Sequence, residues 1–339
     1  MVDRWSQAAA RQGWMEQHAE GSGPDPAPTP AEALADALVG LGLEPRTCPT
    51  GVVAPVAAAS PGAGPAVLLR ADPAGAHAAA LLGAAAALAE APPVRDVLLV
   101  WRTPGATRPD DRGTTGPLGP EEAFAVRLDP DRPAGEVHLR AGATTAHGEG
   151  FRVAYRAGRA PGGDALLAAG ELVTRLRYSV AQLARDEPCA ATVTAARVGE
   201  PADAGGLPPV EGLLHGVMRA HSEPQREALR TEVDRLARCT ALAVGVDAEV
   251  TLTDGPAAVV SDPAYVTRLR SAIGDAARVV ELDGPLLVAD DLARLLDGRR
   301  GALAVVGTGG PAAPAGTLGP ALVTAAALHL LAADGLPPA

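Results

Sequence analysis

The run Val97-Leu-Leu-Val-Trp101 is apolar at every position, so a strand built from it must be covered on both faces. A similar run, Ala66-Val-Leu-Leu-Arg70, precedes it, and an Ala-rich helical stretch from about Ala76 to Glu90 lies between the two. Strand, helix and buried strand in that order make a βαβ unit, which requires a parallel sheet with helices packed on it.

The rest of the chain is organised around that unit. A short polar helix carrying Trp5 and Trp14 leads into a Pro- and Gly-rich linker, residues 21 to 30. Thr29 and Glu32 then form a capping box for a helix with Leu34, Leu38 and Leu41 on one face. Thr103 to Pro120 has no periodicity and reads as a long surface loop. From Phe151 the order is β, α (Asp164 to Leu183), β (Ala191 to Val198), β (Leu213 to Arg219), α (Glu223 to Ala243), β (Ala248 to Leu252), a ferredoxin-like βαββαβ pattern whose second helix carries a box of Ser222 with Gln225. Beyond Gly255 α/β character returns, with a helix capped by Ser261, strands near Leu286 and at Leu303 to Val306, and a last helix from about Pro320 to Ala333. The spacing predicts one α/β domain, residues 1–146 and 256–339, interrupted by an inserted α+β domain, residues 147–255.

Composition removes several functions. The 339 residues include no Lys and no Asn, a single Ile (Ile273), and 29 basic residues that are all Arg, the usage of a very GC-rich bacterial genome. Without an ε-amine there is no Walker-type phosphate loop and no Schiff-base or pyridoxal chemistry. A formal charge of −11 argues against an extended nucleic-acid footprint. Cys48, Cys189 and Cys239 are odd in number and contain no C-x-x-C pair, so neither a disulfide framework nor a thiolate zinc site is expected, and a cytoplasmic location is. Residues 1 to 20 contain no apolar h-region, and the longest apolar runs are too short to span a bilayer, so export and membrane insertion are not expected.

Six segments together resemble the metal-dependent amidohydrolases that include hippurate hydrolase, aminoacylase and indole-acetyl-amino-acid hydrolase. They are Leu41-Gly-Leu with Thr50-Gly-Val-Val-Ala54, Leu69-Arg-Ala-Asp72, His77-Ala-Ala-Ala-Leu-Leu-Gly-Ala-Ala85, Asp164-Ala-Leu-Leu-Ala-Ala169, Gly216-Val-Met-Arg219 and Val288-Ala-Asp-Asp-Leu292. The resemblance covers most of residues 29 to 335. It implies a zinc-peptidase-like three-layer αβα domain with an inserted ferredoxin-like dimerisation domain, two zinc or manganese ions, a carboxylate general base, and a homodimer or a heterodimer with a related amidohydrolase.

The family's metal-binding pattern is not matched residue by residue. Its H-x-C-G-H-D segment has no counterpart, because Asp72 runs into His77 through Pro73-Ala-Gly-Ala76. Its Q-P-A-E-E position reads Arg102-Thr-Pro-Gly-Ala106, Arg127 stands where a ligand His is expected, and the last ligand position, within Thr308 to Leu318, holds Gly, Pro and Ala. The insert's substrate-contacting His and Asn are likewise replaced, within Arg159 to Gly163 and at Gly206. No metal cofactor is therefore expected. The candidate remnants of a cleft for a small carboxylated ligand are Arg219, Arg127, Asp290, Asp291 and His77, with packing or capping the simpler role for His77 and a surface ion pair an equal alternative for Arg219. Asp110, Asp111, Glu121 and Glu122 are read as solvated loop charge, metal recruitment being the alternative. His147-Gly-Glu149 with Pro188-Cys189 is a faint zinc-deaminase pattern, and Gly307-Thr-Gly-Gly reads as a surface turn rather than a dinucleotide loop. The expected function is that of a pseudoenzyme binding a carboxylated ligand or a partner. A metal-dependent hydrolase of N-acyl amino acids or small peptides, and a metal-independent enzyme of specialised metabolism, are the alternatives.

Overall fold

A computed structural model describes residues 3–19, 29–60, 62, 64–102, 118–157, 163–199, 211–309 and 318–336. The chain forms two compact units, one of Met1–Thr144, Val260–Gly284 and Asp291–Ala339, the other of Thr145–Val259 and Pro285–Asp290.

The first unit is built on an eight-stranded mixed sheet. Its strands are β1 (Arg46–Cys48), β2 (Gly51–Val56), β3 (Val67–Ala71), β4 (Val97–Arg102), β5 (Glu122–Asp129), β6 (Val137–Leu139), β13 (Val279–Glu281) and β14 (Arg300–Gly307), in the order β1-β2-β4-β3-β5-β14-β6-β13. Strands β4, β3, β5 and β14 run parallel as neighbours. Every residue of β3 and β4 is buried, as their unbroken apolar runs demand. Leu69, Leu99, Trp101 and Phe124 pack in one core with helices α4 (Gly75–Glu90) and α9 (Leu318–Asp334), while Leu68, Leu98 and Leu303, of opposite parity, are equally buried. Gly51 lets β2 start: its φ is +144°, and a Cβ there would lie 1.9 Å from the carbonyl oxygen of Trp101.

The amino end of the chain forms two helices, α1 (Arg4–Ala9) and α2 (Gln12–Ala19), where one was expected. The Thr29–Glu32 capping box opens α3 (Pro30–Gly40) as read from sequence. The cap of α7 (Pro263–Ile273) is Asp262, one residue after the expected Ser261. Ser261 lies in the short strand β12 (Val260–Ser261), paired with β7 (Gly142–Ala143), where its hydroxyl accepts the Leu303 N–H and bonds Thr144.

The second unit is a four-stranded antiparallel sheet, β11-β8-β10-β9, formed by β8 (His147–Ala157), β9 (Ala190–Val198), β10 (Glu211–Ala220) and β11 (Val246–Asp254). Helices α5 (Ala165–Leu183) and α6 (Glu223–Val244) follow the first and third of these strands, giving the ferredoxin-like βαββαβ order with the sheet arranged 4-1-3-2. Leu172, Leu176, Leu229, Val233 and Leu236 bury the stripe that the helical period supplies. The Ser222 cap is half of a box: its hydroxyl accepts the Gln225 N–H, while Gln225 turns its own carbonyl to the His221 N–H. The strand expected near Leu286 is a single bridge to Thr145.

Candidate functional site

Ligands of parallel α/β sheets bind beyond the carboxyl ends of the strands. Register fixes what this edge of the first unit presents. Arg70 of β3 pairs with Val100 of β4 and Ala125 of β5, so Arg70, Arg102 and Arg127 lie on one face of three adjacent strands, the latter two one pleat nearer the carboxyl end. Arg70 and Arg102 close apolar runs at a buried parity, and both side chains are almost fully enclosed, with 6% and 2% exposure.

Their counter-charges come from elsewhere in the chain. Asp291, immediately before the short helix α8 (Leu292–Leu295), places Oδ1 2.5 Å from Arg70 Nη2 and Oδ2 3.0 Å from Arg102 Nε. Asp72, one residue past β3, meets the same Arg70 nitrogen, Nη2, at 2.5 Å. His77, in the first turn of α4, has Nδ1 3.9 Å from Asp72, while its Nε2 accepts the Leu128 N–H at 3.0 Å. Neutral His77 therefore carries its proton on Nδ1. Arg127 is half-buried and makes no hydrogen bond or ion pair with another described residue.

A dinuclear metal centre needs several anionic or imidazole donors aimed at one point. Here both carboxylates face guanidinium groups and the acceptor nitrogen of His77 is already bonded to backbone, so these residues do not fit such a centre. Among the described residues no group of three or more His, Cys, Asp or Glu is placed to hold a metal ion. Asp110, Asp111, most of the segment Thr308 to Leu318, Arg159 to Gly162, and Gly206 lie outside the described residues.

Of the five sequence candidates, His77, Arg127 and Asp291 belong to the first unit, and Arg219 and Asp290 to the second. Arg219, on β10, donates to the Met218 carbonyl at 2.8 Å, and burial lowers its pKa. A Cβ on the neighbouring Gly148 would come 2.7 Å from Ala289, so glycine keeps that packing possible. Asp290 is buried. Arg70, Asp72 and Arg102 were not among the candidates, although a cation on the buried parity of an apolar run signals a buried counter-charge.

One reading needs correction. Glu122 is not solvated loop charge: it opens β5, is buried, and is surrounded by Arg95 at 2.8 Å, Arg268 at 3.4 Å and Arg300 at 3.5 Å. The length of the loop concealed that a strand begins there; Glu121 beside it is exposed. Glu149, the carboxylate of the faint deaminase pattern, is held by Arg226 and Arg230 at 3.1 and 2.7 Å, and burial raises the Cys189 thiol pKa. Gly307 turns toward backbone rather than a ligand, since a Cβ there would lie 1.9 Å from the Pro133 carbonyl oxygen.

The two units together have the fold of the M20 peptidases and their amidohydrolase relatives. The chain is similar to the Bacillus subtilis YXEP protein, a dinuclear metal binding peptidase of the M20 family, with 18% identity over 98% of this chain and all of that one and a TM-score of 0.64. An aminobenzoyl-glutamate utilization protein from Klebsiella pneumoniae matches at 17% identity over 96% and 95% of the two chains, with a TM-score of 0.66. A hydantoinase/carbamoylase family amidase from Burkholderia vietnamiensis matches at 12% over 99% and 98%, with a TM-score of 0.71. No family model and no curated protein sequence matches the chain. Among the described residues, no helix is long and apolar enough to cross a membrane.

Proposed function

We propose that this chain is an amidohydrolase-fold protein that binds a small carboxylated ligand at the carboxyl edge of its large sheet and does not hydrolyse amides by dinuclear metal catalysis. The observation that carries this reading is the set of three arginines on one face of β4, β3 and β5, two of them paired with Asp72 and Asp291 and the third, Arg127, half-buried. Arg127 is the one of the three that makes no hydrogen bond or ion pair with another described residue. A planar guanidinium suits a ligand carboxylate in two-point contact. It also opposes a divalent cation nearby.

The test pairs metal content with binding. Protein dialysed against zinc or manganese is expected to retain well under one ion per chain by mass spectrometry. N-acetylglycine is expected to bind in calorimetry, with the affinity reduced about tenfold or more in Arg127→Ala, the size of one charge-assisted contact. Two ions per chain together with chelator-sensitive release of glycine would establish the hydrolase alternative. Turnover that survives chelator would establish the metal-independent enzyme.

The partner is proposed to be a second copy of this chain. On α5, Leu166 and Tyr178, 53% and 71% exposed, line an open groove of about 700 Å³ with Leu167 between them. β9, against which α5 packs, is an edge strand of its sheet, with one side unpaired among the described residues. An unpaired edge beside an apolar helix stripe suits a twofold self-contact. Light scattering is expected to give a dimer for the native chain and a monomer for Leu167→Asp with Tyr178→Asp; a monomeric native chain overturns this.

A further inference from the structure

The geometry points to Asp291 as a resident carboxylate that occupies the Arg70–Arg102 pair and is displaced when a ligand carboxylate binds there. This inference rests on the anion-binding reading above and adds how the site is regulated. Asp291 stands in the N-cap position of α8, where an aspartate ordinarily accepts an N–H of the first helical turn. It makes no such bond. Its two oxygens are directed instead at two guanidinium groups on adjacent parallel strands, 2.5 Å from Arg70 and 3.0 Å from Arg102. A free carboxylate in the same place would meet the same two cations with the same charge and planar shape.

Position in the chain makes the contact a switch rather than a plain ion pair. The chain leaves the inserted unit at Asp290 and re-enters the first unit at Asp291, so the anchored residue is the first after the crossing. Asp291 leads into one short helical turn, closed by the Arg294 N–H to the Asp291 carbonyl at 3.0 Å and the Leu296 N–H to the Leu292 carbonyl at 2.9 Å. A four-residue helix has little stability of its own and depends on its anchors. A ligand that takes over the arginines therefore loosens α8, and by the same linkage a held α8 weakens the ligand. Apparent affinity falls by the fraction of molecules in which the pair is open.

The experiment compares N-acetylglycine binding to the native chain, Asp291→Asn and Asp291→Glu by calorimetry. Asparagine keeps the shape and removes the charge, so Asp291→Asn is expected to bind at least tenfold more tightly, and Arg102→Met in that background to abolish the gain. Asp291→Glu, still a carboxylate, is expected to stay within a few-fold of the native affinity. Hydrogen exchange on the native chain gives a second measurement that needs no variant: saturating N-acetylglycine is expected to speed exchange at Arg294 and Leu296. Unchanged exchange, or an Asp291→Asn affinity no better than native while Arg127→Ala still weakens binding, overturns the inference and leaves the anion-binding reading standing. Absence of carboxylate binding to every protein overturns both.

Discussion

Glu122→Leu is expected to cost about 3–5 kcal/mol of stability, the usual consequence of removing one member of a buried charge cluster. The reason lies in the cations left behind. Arg95 is 7% exposed, and without Glu122 its only described acceptors are the Ala332 carbonyl at 2.6 Å and the Pro65 carbonyl at 3.4 Å. Neither carries a formal charge, so a guanidinium stays in the core without a counter-ion. Arg300 is 57% exposed and loses little, because solvent screens it. The double variant Glu122→Leu with Arg95→Met is therefore expected to recover most of the loss. Urea unfolding of the two variants and the native chain checks this, and equal stability of the single and double variants would place the loss in packing rather than charge.

The second large effect is a dependence on pH that one residue controls. His329 sits in α9, edge-on to the Phe124 ring at 5.6 Å, and its Nδ1 has no hydrogen-bond partner among the described residues. Burial, assisted by the nearby His77, pushes its pKa down from 6.5 to about 3. The folded chain thus holds His329 neutral where the unfolded chain would accept a proton. Its contribution is complete above pH 6.5 and is lost as pH falls from there toward 3, where the folded form accepts the proton too. Between pH 6.5 and 4.5 the loss is about 2–3 kcal/mol, from 1.4 kcal/mol for each pH unit. His329→Phe, which keeps an aromatic ring against Phe124, is expected to flatten this limb while leaving the carboxylate-driven loss below pH 4.5. Denaturant midpoints of the two proteins between pH 7 and 4 check it; parallel curves would mean that His329 is protonated in the folded chain.

Much of the architecture was legible because it depends on local pattern. β3 and β4 are unbroken apolar runs, and the inserted unit alternates at period two in its strands and 3.6 in its helices, so each announces itself within a few residues. β5 did not, because Glu-Ala-Phe-Ala-Val-Arg-Leu-Asp begins and ends in charge and comes after a long loop. Its buried first residue is satisfied only by arginines from three other segments, at positions 95, 268 and 300. The edge cluster was hidden for the same reason. Asp291 was a candidate on motif grounds, yet its partners Arg70 and Arg102 are set by sheet register. Side-chain parity was the available signal: Arg70 comes after Leu68, and Arg102 after Leu98 and Val100, on the face that burial later revealed.

The order in which the strands are made bears on how the chain folds. β14 pairs with β5 along eight registered residues, from Arg300 with Glu122 to Gly307 with Asp129. A ribosome has therefore completed β8 through β11, which pair only with one another, before the second partner of β5 exists, β3 being the first. The inserted unit can close while the first unit still waits with one flank of its central sheet open. Loop-closure entropy also weighs on that last pairing, which makes it the natural slow phase. A burial defect in β14 is then expected to lengthen the time spent with the β5 edge exposed, and so to act on yield through aggregation before it acts on the finished molecule.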